Sequence, residues 1–336
     1  MQGYTRPLVQ RDQPQIDPYA NDPGRWAHSL QNLAELMLPC LDAAGARSVM
    51  EVGAHEGDLT GMLVDWAAGT GARVVAIDPA PKEQLVRLAE DRPELELVRD
   101  TSLAALPRLD RVDAVIIDGD HNYFTVSEEL RMLAEASGDE LPLLLFHDVC
   151  WPHGRRDDYF AAELIPAEHR QPIQEGGGLH PEEPGIRSGG LPYRGAAARE
   201  GGPRNGVLTA VEDFIADRED LRLAVMPAFF GLGVVWSTDA PWAAAIADLM
   251  EPWDHNPLLA RLERNRVYHL AETHVNLGRV SQAEERAARL RAVLERLLDS
   301  SAFALAERLS RLRHRAGIAR SQSVLSKDEI RRALKY

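Results

Sequence analysis

The fold of this chain is decided by one stretch, Met50-Glu51-Val52-Gly53-Ala54-His55-Glu56-Gly57-Asp58-Leu59-Thr60. A short apolar strand, residues 48–50, leads into it, and apolar residues at helical spacing follow it: Leu59, Met62, Leu63 and Trp66. The stretch therefore predicts a strand that turns through glycines into a helix. In that geometry the unpaired N–H groups of the helix point into the turn, and the glycines let a ligand approach the backbone closely.

The next strand, residues 73–77, ends in an acid that suits a nucleoside. Asp78 follows the glycine turn by about 20 residues, where a carboxylate accepts hydrogen bonds from a ribose. A dinucleotide fingerprint would have glycine in place of His55, so a pyrophosphate would be crowded here. Glu51, just before the first glycine, suits a cationic amino-acid cofactor better. A strand–helix turn without any ligand is the alternative.

The composition narrows the range of partners. The formal net charge is −14, so the chain repels phosphate backbones and we expect no nucleic-acid partner. Two cysteines are too few for a disulfide framework or a zinc cluster. No apolar run approaches about 18 residues, and no apolar signal core opens the chain. We therefore expect no membrane association and a cytoplasmic location.

Three further strands are predicted to end in polar residues. Residues 95–98 lead to Asp100-Thr101-Ser102, where Asp100 either reaches an adenine amino group or is an exposed loop acid. Residues 112–117 lead to Asp118-Gly119-Asp120-His121-Asn122-Tyr123, and residues 141–146 lead to His147-Asp148. Ligands in open α/β sheets bind at these carboxyl ends, so the last two groups should converge. Carboxylates with an imidazole predict a divalent-metal site, unless His147 and Asp148 only hydrogen-bond the neighbouring turn.

These sequence features together resemble a known enzyme family. The pattern E-x-G-x-x-x-G-x-x-T resembles motif I of class I S-adenosylmethionine (SAM) methyltransferases. With D-G-D-H-x-Y and H-D, the chain resembles the small-molecule O-methyltransferases that include catechol and caffeoyl-CoA methyltransferases, and more closely a related bacterial group. The resemblance covers roughly residues 26–150 and 203–238. It implies an α/β, Rossmann-like, doubly wound seven-stranded sheet with a final antiparallel strand.

The resemblance also implies roles for individual residues. In catechol-type enzymes an aspartate after the fourth strand and an Asp-Asn pair after the fifth bind magnesium; Asp118, His147 and Asp148 fall at these positions. His147 replaces a hard oxygen ligand, which admits manganese, iron or no metal. The catalytic lysine of the family falls at His121, so the expected catalytic residues are His121, Asp118 and His147. The expected SAM-binding residues are Glu51, Gly53, Ala54, His55, Gly57, Thr60, Asp78, Asp100, Thr101, Ser102 and Asp118.

The expected activity is metal-assisted O-methylation of a small molecule, such as a natural product or a sugar-like acceptor. The acceptor hydroxyl would lie near the metal or His121, lose its proton and then attack the methyl group of SAM in line. Two alternatives stay open. One is oxygenase-like or hydroxylase-like chemistry at an iron site made by His147 and two aspartates. The other is a non-catalytic binding or scaffold protein.

The remaining segments suggest how the chain is divided. Residues 1–25 are predicted to form an extended arm, 26–239 the methyltransferase domain, with a helix over 26–41, and 240–336 a helical extension. Residues 151–205 are a lid over the substrate or a solvated linker. Their arginines favour an anionic acceptor, and their histidines, including His153 and His180, are expected at the surface. These arginines are Arg155, Arg156, Arg187, Arg194, Arg199 and Arg204.

The extension itself shows three features. Gly278 is predicted to cap a helix and to divide a helical hairpin. Ser326 and Glu329 form a capping box for a last short helix. An apolar stripe between Ala283 and Leu298 predicts a homo-oligomer, most simply a dimer, that associates through this extension.

Overall fold

The structure is a computed structural model that describes Tyr19, Asn21, Asp22 and residues 28–138, 140–193, 195–318 and 326–333. Most of the predicted arm, residues 1–25, lies outside these residues, as do Trp26 and Arg194. Two compact units divide the chain, Met1–His274 and Val275–Tyr336. In the part of the chain that the structure describes, none of the helices has the length and apolar character of a membrane span.

The first half of the chain alternates helices with strands. A single 3-10 turn at Leu30–Leu33 opens the predicted first helix, which then continues as an α-helix. The elements in order are α1 (Ala34–Ala43), β1 (Ser48–Val52), α2 (Asp58–Thr70), β2 (Arg73–Ile77), α3 (Glu83–Asp91), β3 (Leu95–Val98), α4 (Ser102–Ala105), β4 (Ala114–Ile117), α5 (Tyr123–Ser137) and β5 (Leu143–Phe146).

The segment 151–205 is folded rather than a solvated linker. Its five short strands are β6 (Ile173–Glu175), β7 (Gly178–His180), β8 (Glu183–Arg187), β9 (Leu191–Pro192) and β10 (Gly195–Ala197). β6 pairs with β10, and β7 lies between β8 and β9 in a second small sheet. We call this segment the insertion.

The chain then completes the main sheet and ends in helices. The elements are α6 (Val207–Ile215), β11 (Leu221–Met226), β12 (Leu232–Ser237), α7 (Ala243–Met250), α8 (Pro257–Leu298), α9 (Ser301–Arg315) and α10 (Lys327–Ala333). The helix α8 runs through Gly278 without a break, so the predicted cap and hairpin there are wrong. One glycine costs a helix interior only about 1 kcal/mol, which a 42-residue helix rich in good helix formers tolerates.

The capping box at the start of α10 is present. Ser326 Oγ accepts the Glu329 N–H at 3.2 Å, and Ser326 N–H donates to the Glu329 carboxylate at 2.7 Å. These two reciprocal bonds satisfy two N–H groups at the start of the helix.

Seven strands form the central sheet in the order β11-β12-β5-β4-β1-β2-β3. β12 is antiparallel to both of its neighbours, while β1 to β5 pair in parallel. The predicted doubly wound sheet with a final antiparallel strand is therefore confirmed. The chain runs outward from β1 to β3 and then returns to β4 on the other side of β1. Ligands of open α/β sheets bind at this switch point, at the carboxyl ends of the strands.

Helices cover both faces of this sheet. Val49 of β1 packs in a cluster with residues of α1, α2 and α7, whereas Met50 and Val52 pack in a second cluster with residues of α4, α5 and α6. Because successive strand residues point to opposite faces, one apolar strand supplies both clusters. The strands are thus rigidly held, and their carboxyl ends carry the polar turns.

Candidate active site

The turns after β1 and β4 touch at the switch point. Gly53 has φ of +90°, and a Cβ there would lie 2.1 Å from the carbonyl oxygen of Asp118. The Gly53 N–H donates to the carbonyl oxygen of Ile77, at the end of β2, at 2.9 Å. The glycine turn is therefore fixed between the tips of β2 and β4, and any side chain at residue 53 would displace the backbone of Asp118.

Asp78 holds the same turn from the side. One of its carboxylate oxygens accepts the His55 N–H at 2.8 Å, and the other accepts the Ala80 N–H at 2.7 Å. His55 adopts a left-handed conformation, with φ of +42°. Each carboxylate oxygen has a second lone pair, so Asp78 retains acceptors for a ribose hydroxyl.

The helix α2 begins beside Asp78 without a side-chain cap. Its N-cap residue is Gly57, with φ of +89°, and no side chain hydrogen-bonds the first turn in the way a capping residue does. The N–H groups at the start of α2 are therefore positioned to face a ligand.

Glu51 is not a free carboxylate. It is buried on β1 and accepts a hydrogen bond from the Thr60 hydroxyl, on α2, at 2.6 Å. Burial raises the pKa of Glu51 to about 8. A pKa of about 8 favours the protonated side chain at neutral pH, and its hydrogen bond with Thr60 joins β1 to the first turn of α2.

Asp100 makes local contacts. Its carboxylate accepts the Thr101 N–H at 2.9 Å and pairs with Arg108 at 2.8 Å. The hydrogen bond from Arg108 lowers the pKa of Asp100. Ser102 is buried at the start of α4. Contact of Asp100, Thr101 and Ser102 with an adenine stays a prediction.

The polar residues after β4 and β5 converge as predicted. Four of their side-chain atoms, each able to donate a lone pair to a metal ion, form a ring that we call the donor ring. Asp118 Oδ1 lies 3.0 Å from His147 Nδ1 and 3.5 Å from His121 Nε2. Asp148 Oδ2 lies 3.1 Å from His121 Nε2 and 3.5 Å from His147 Nδ1. Two ligands bound at about 2.1 Å to one ion are about 3.0–3.4 Å apart, so this ring of alternating carboxylate and imidazole atoms has the spacing of a divalent-metal site.

The two histidines differ in how they are held. The Nε2 atom of His147 lies 2.9 Å from the carbonyl oxygen of Phe229 and must donate to it, since a carbonyl oxygen only accepts. Nδ1 of His147 is therefore the atom aimed at the carboxylates. His121 Nε2 is buried and hydrogen-bonds neither carboxylate despite the short distances. The imidazole of His121 therefore does not have hydrogen-bond geometry toward Asp118 Oδ1 or Asp148 Oδ2.

The charges of the ring balance one another. Burial alone would lower the pKa values of both histidines, but the carboxylates outweigh it and raise the pKa of His121 to about 10 and that of His147 to about 9. The pKa values of Asp118 and Asp148 stay below their usual range because the imidazolium groups outweigh the cost of burial. These pKa values favour two carboxylates and two imidazolium cations in the ring at neutral pH.

The insertion adds a residue that the sequence analysis missed. His153 is buried, not at the surface as expected, and its ring stacks on His121 at 4.7 Å. His121, Asp148 and His153 bring one donor atom each within 4.8 Å of one another. Burial lowers the pKa of His153 to about 3, so this imidazole is neutral. Its position six residues after His147 was the only available sequence signal.

His180, the second histidine expected at the surface, is also buried. Its Nε2 atom lies 3.4 Å from the Glu272 carboxylate, and its ring meets Tyr268 edge-on at 5.1 Å. His180 therefore packs on α8 and does not belong to the donor ring.

The insertion is fastened to the loop after β4. Asp157 accepts the N–H groups of Tyr123 at 2.8 Å and Gly206 at 2.7 Å. The Asp158 N–H donates to the His121 carbonyl oxygen at 3.0 Å. The base of the insertion therefore lies against the donor ring.

Three of the arginines that favoured an anionic acceptor bind groups of the protein itself. Arg155 pairs with Glu212, and Arg187 pairs with Glu183 at 2.8 Å. Arg156 is completely buried and donates to the carbonyl oxygens of Ala197 and Pro184. These guanidinium groups stabilise the insertion, which removes their support for an anionic acceptor.

The segment that carries these residues is similar to a known protein family. Residues 50–149 match the family model described as a methyltransferase domain. A search of curated proteins finds no match. The matched segment contains the glycine turn, Asp78 and the whole four-donor ring.

Several solved structures are similar to the chain at low identity. A methyltransferase of Podospora anserina with bound S-adenosylhomocysteine is 13% identical, with a TM-score of 0.39, and the match covers 66% of this chain and 82% of that one. The O-methyltransferase TomG of Streptomyces achromogenes is 17% identical over 67% of this chain and 91% of that one, with a TM-score of 0.39. A methyltransferase of Geobacter sulfurreducens is 13% identical over 67% and 90%, also with a TM-score of 0.39.

The family match and the sheet agree. Residues 50–149 supply the last three residues of β1, all of β2 to β5 and the polar turns at their carboxyl ends, and β11 with the antiparallel β12 completes the sheet. The segment that is similar to a methyltransferase domain therefore coincides with the parallel strands and polar turns of the doubly wound sheet.

Proposed function

We propose that this protein transfers the methyl group of SAM to a hydroxyl group of a small molecule, with a divalent cation held by Asp118, His147 and Asp148. One observation carries the proposal. The glycine turn that would hold SAM is in van der Waals contact with the backbone of Asp118, which also belongs to the donor ring. A methyl donor and a metal-bound acceptor would therefore be neighbours.

Asp78 and the start of α2 support the cofactor half of the proposal. Asp78 retains lone pairs for the ribose, and the uncapped N–H groups of α2 suit the carboxylate end of SAM. Calorimetry with SAM and with S-adenosylhomocysteine tests it directly. Asp78→Ala should weaken binding by about 1.5–3 kcal/mol because charge-assisted bonds to the ribose are lost. Asp248→Ala, on the exposed face of α7, is the matched control. No heat from either nucleoside with the wild type would refute the cofactor assignment.

The donor ring supports the metal half. Two carboxylate oxygens and Nδ1 of His147 suit a divalent ion, and the imidazole favours manganese or iron over magnesium. Such an ion would lower the pKa of an acceptor hydroxyl. Equilibrium titration with Mn²⁺ alone should show one site in the wild type and none in Asp148→Ala. Binding that is unchanged in Asp148→Ala would exclude this ligand set.

His121 is the proposed proton acceptor. The imidazole of His121 is partly exposed, and its Nε2 atom lies between the carboxylates of Asp118 and Asp148. A substrate hydroxyl bound above the donor ring would therefore contact this imidazole. His153 stacks on its face and keeps the imidazole in place.

Oxygenase chemistry is the second candidate, since a site with histidine and aspartate donors also suits iron. Methyl transfer from SAM measured under air-free conditions separates the two. Transfer without oxygen supports the methyltransferase. Absence of transfer to a panel of phenolic and sugar hydroxyls, together with oxygen consumption in the presence of Fe²⁺, would favour the oxygenase. A protein that neither binds SAM nor consumes oxygen would have a binding role.

A further inference from the structure

A buried charge pair on α8 lies against the turn between β11 and β12. Glu263 and Arg266 are 7% and 8% exposed, and the guanidinium bonds both carboxylate oxygens, Nε at 2.7 Å and Nη2 at 2.6 Å. The same two oxygens accept the N–H groups of Phe229 at 3.1 Å and Phe230 at 2.8 Å. The carboxylate is therefore fully satisfied, half by its own helix and half by the turn.

The turn that Glu263 binds is strained. Phe229, Phe230 and Gly231 have φ of +53°, +66° and +94°. Residues with a Cβ avoid this left-handed region, and two of them in succession persist only where surrounding contacts hold them. Successive N–H groups in such a turn form a concave nest that binds an anion. The Glu263 carboxylate fills that nest and so compensates the strain.

The opposite side of the same turn holds the donor ring. The carbonyl oxygen of Phe229 accepts Nε2–H of His147 at 2.9 Å, and that of Phe230 accepts the Cys150 N–H at 2.7 Å. A Cβ on Gly231 would lie 2.6 Å from Cys150 Sγ, so the turn packs directly on the segment after β5. The Phe229 carbonyl thus fixes the orientation of the His147 ring, with Nε2 donating to the turn and Nδ1 facing Asp118.

We propose that Glu263 is a positioning residue of the active site, acting on His147 through the Phe229–Phe230 turn. It lies outside the segment 50–149 that matches the methyltransferase family, and it links the helical extension to the donor ring. Its effect on metal binding rests on the proposed function, whereas its effect on the His147 ring does not. Partners that orient a ligating histidine commonly change metal affinity by about 10–100-fold.

Glu263→Gln is the direct test. Glutamine offers one acceptor oxygen instead of two, so it leaves one of the two turn N–H groups unbound and removes the negative charge of residue 263 beside Arg266. Glu285→Gln, the same substitution at an exposed position of the same helix, is the matched control. The primary measurement is the ¹⁵N spectrum of the histidine rings, with the His147 signals identified by their loss in His147→Gln.

In the wild type and in Glu285→Gln we expect a protected Nε2–H signal from His147. Glu263→Gln should lose that protection, and its affinity for Mn²⁺ should fall about tenfold or more. Its SAM affinity should stay within about twofold, since the cofactor half of the site is untouched. A folded Glu263→Gln protein with wild-type His147 signals would overturn the proposal.

A second variant covers the case in which Glu263→Gln does not fold. Glu263→Asp keeps the charge beside Arg266 but withdraws the carboxylate by one methylene group from the turn. It should also shift the His147 signals, and unchanged signals in this variant would overturn the proposal in the same way. If the wild type binds neither Mn²⁺ nor SAM, the proposed function fails, while the His147 measurement still decides the role of Glu263.

Discussion

At the scale of single residues, burial and neighbouring charges set the protonation states of the side chains in the site. The carboxylates of Asp118 and Asp148 keep the imidazoles of His121 and His147 charged, whereas burial outweighs the attraction of Asp148 at His153 and leaves that imidazole neutral. Burial, with a smaller contribution from nearby aspartates, raises the pKa of Glu51 to about 8 and so favours its protonated form at neutral pH. The stacked imidazoles of His121 and His153 therefore differ in charge. The protonation states of His121 and Glu51 each lead to a measurable prediction.

The first residue-scale prediction concerns His121. If it is the base, His121→Ala should lower turnover by about 10²–10⁴-fold and leave SAM affinity nearly unchanged. His269→Ala, on the exposed face of α8, should have no effect. With its pKa raised to about 10, His121 is protonated at neutral pH, so turnover without added cation should rise with pH toward that value. A bound divalent cation opposes protonation and should move this rise to lower pH. A variant with near-normal turnover and the same pH profile would exclude His121 as the base.

The second concerns Glu51 and folding stability. Its pKa is about 8 in the folded protein and 4.5 when unperturbed, so between these values only the folded state keeps the proton. The free energy of unfolding should therefore fall as pH rises through this window and level off above it. Glu51→Gln stays uncharged and keeps an acceptor for Thr60. Relative to the wild type it should gain at least about 1 kcal/mol between about pH 5 and pH 8 in urea unfolding. Glu90→Gln, exposed on α3, should run parallel to the wild type.

At the scale of elements, the switch point depends on the close contact between the turns after β1 and β4. The turn after β1 has no room for a side chain at residue 53, and it takes its shape from Ile77 and Asp78 at the end of β2. The insertion is fastened to the loop after β4 by Asp157, and the turn between β11 and β12 is fastened by Glu263. Contacts from the end of β2, from the insertion and from α8 therefore hold the turns of the site in place.

Two glycine substitutions test the switch point. Gly53→Ala would place a Cβ 2.1 Å from the Asp118 carbonyl oxygen and force a left-handed alanine, so it should destabilise the fold by several kcal/mol and abolish SAM binding. Gly61→Ala, inside α2 with open space around it, should instead stabilise by about 0.5–1 kcal/mol. Thermal unfolding and SAM calorimetry of the two variants give the comparison. A Gly53→Ala protein with wild-type stability would contradict the contact.

At the scale of the whole molecule, the two compact units divide inside α8. In the first unit, Ile246 and Met250 of α7 belong to the main core, and Val267 and Leu270 of α8 pack with Phe230. In the second unit, apolar side chains of α8 and α9 are exposed. These are Leu290, Val293, Leu294, Leu297, Leu305, Leu309 and Leu312. The predicted boundary at residues 239 and 240 and the predicted dimer stay predictions.

Truncation tests both predictions. A protein ending at His274 keeps the α7 and α8 contacts of the first unit and should unfold cooperatively near the wild-type temperature. One that ends at Asp239 loses Ile246, Met250 and Glu263 and should aggregate. If the exposed apolar row pairs two copies, light scattering should show a dimer for the full chain and a monomer for residues 1–274. A monomeric full chain would contradict the dimer, and a stable, active protein ending at Asp239 would contradict the need for α7 and α8.

Local sequence by itself determined the fold class and much of the site. The alternation of apolar strands with helical periodicities, the glycine turn and the acids at strand ends all act through neighbouring residues, so the sheet and the convergence of Asp118, His147 and Asp148 were predictable. The cap predicted at Gly278 was wrong, because a single glycine is outweighed by the helix formers around it. Tertiary structure alone decided the burial of His153, the bond from His147 to Phe229 and the role of Glu263. These contacts join residues that are distant in sequence, and the proton positions they set depend on burial and on charges that come together only in the folded chain.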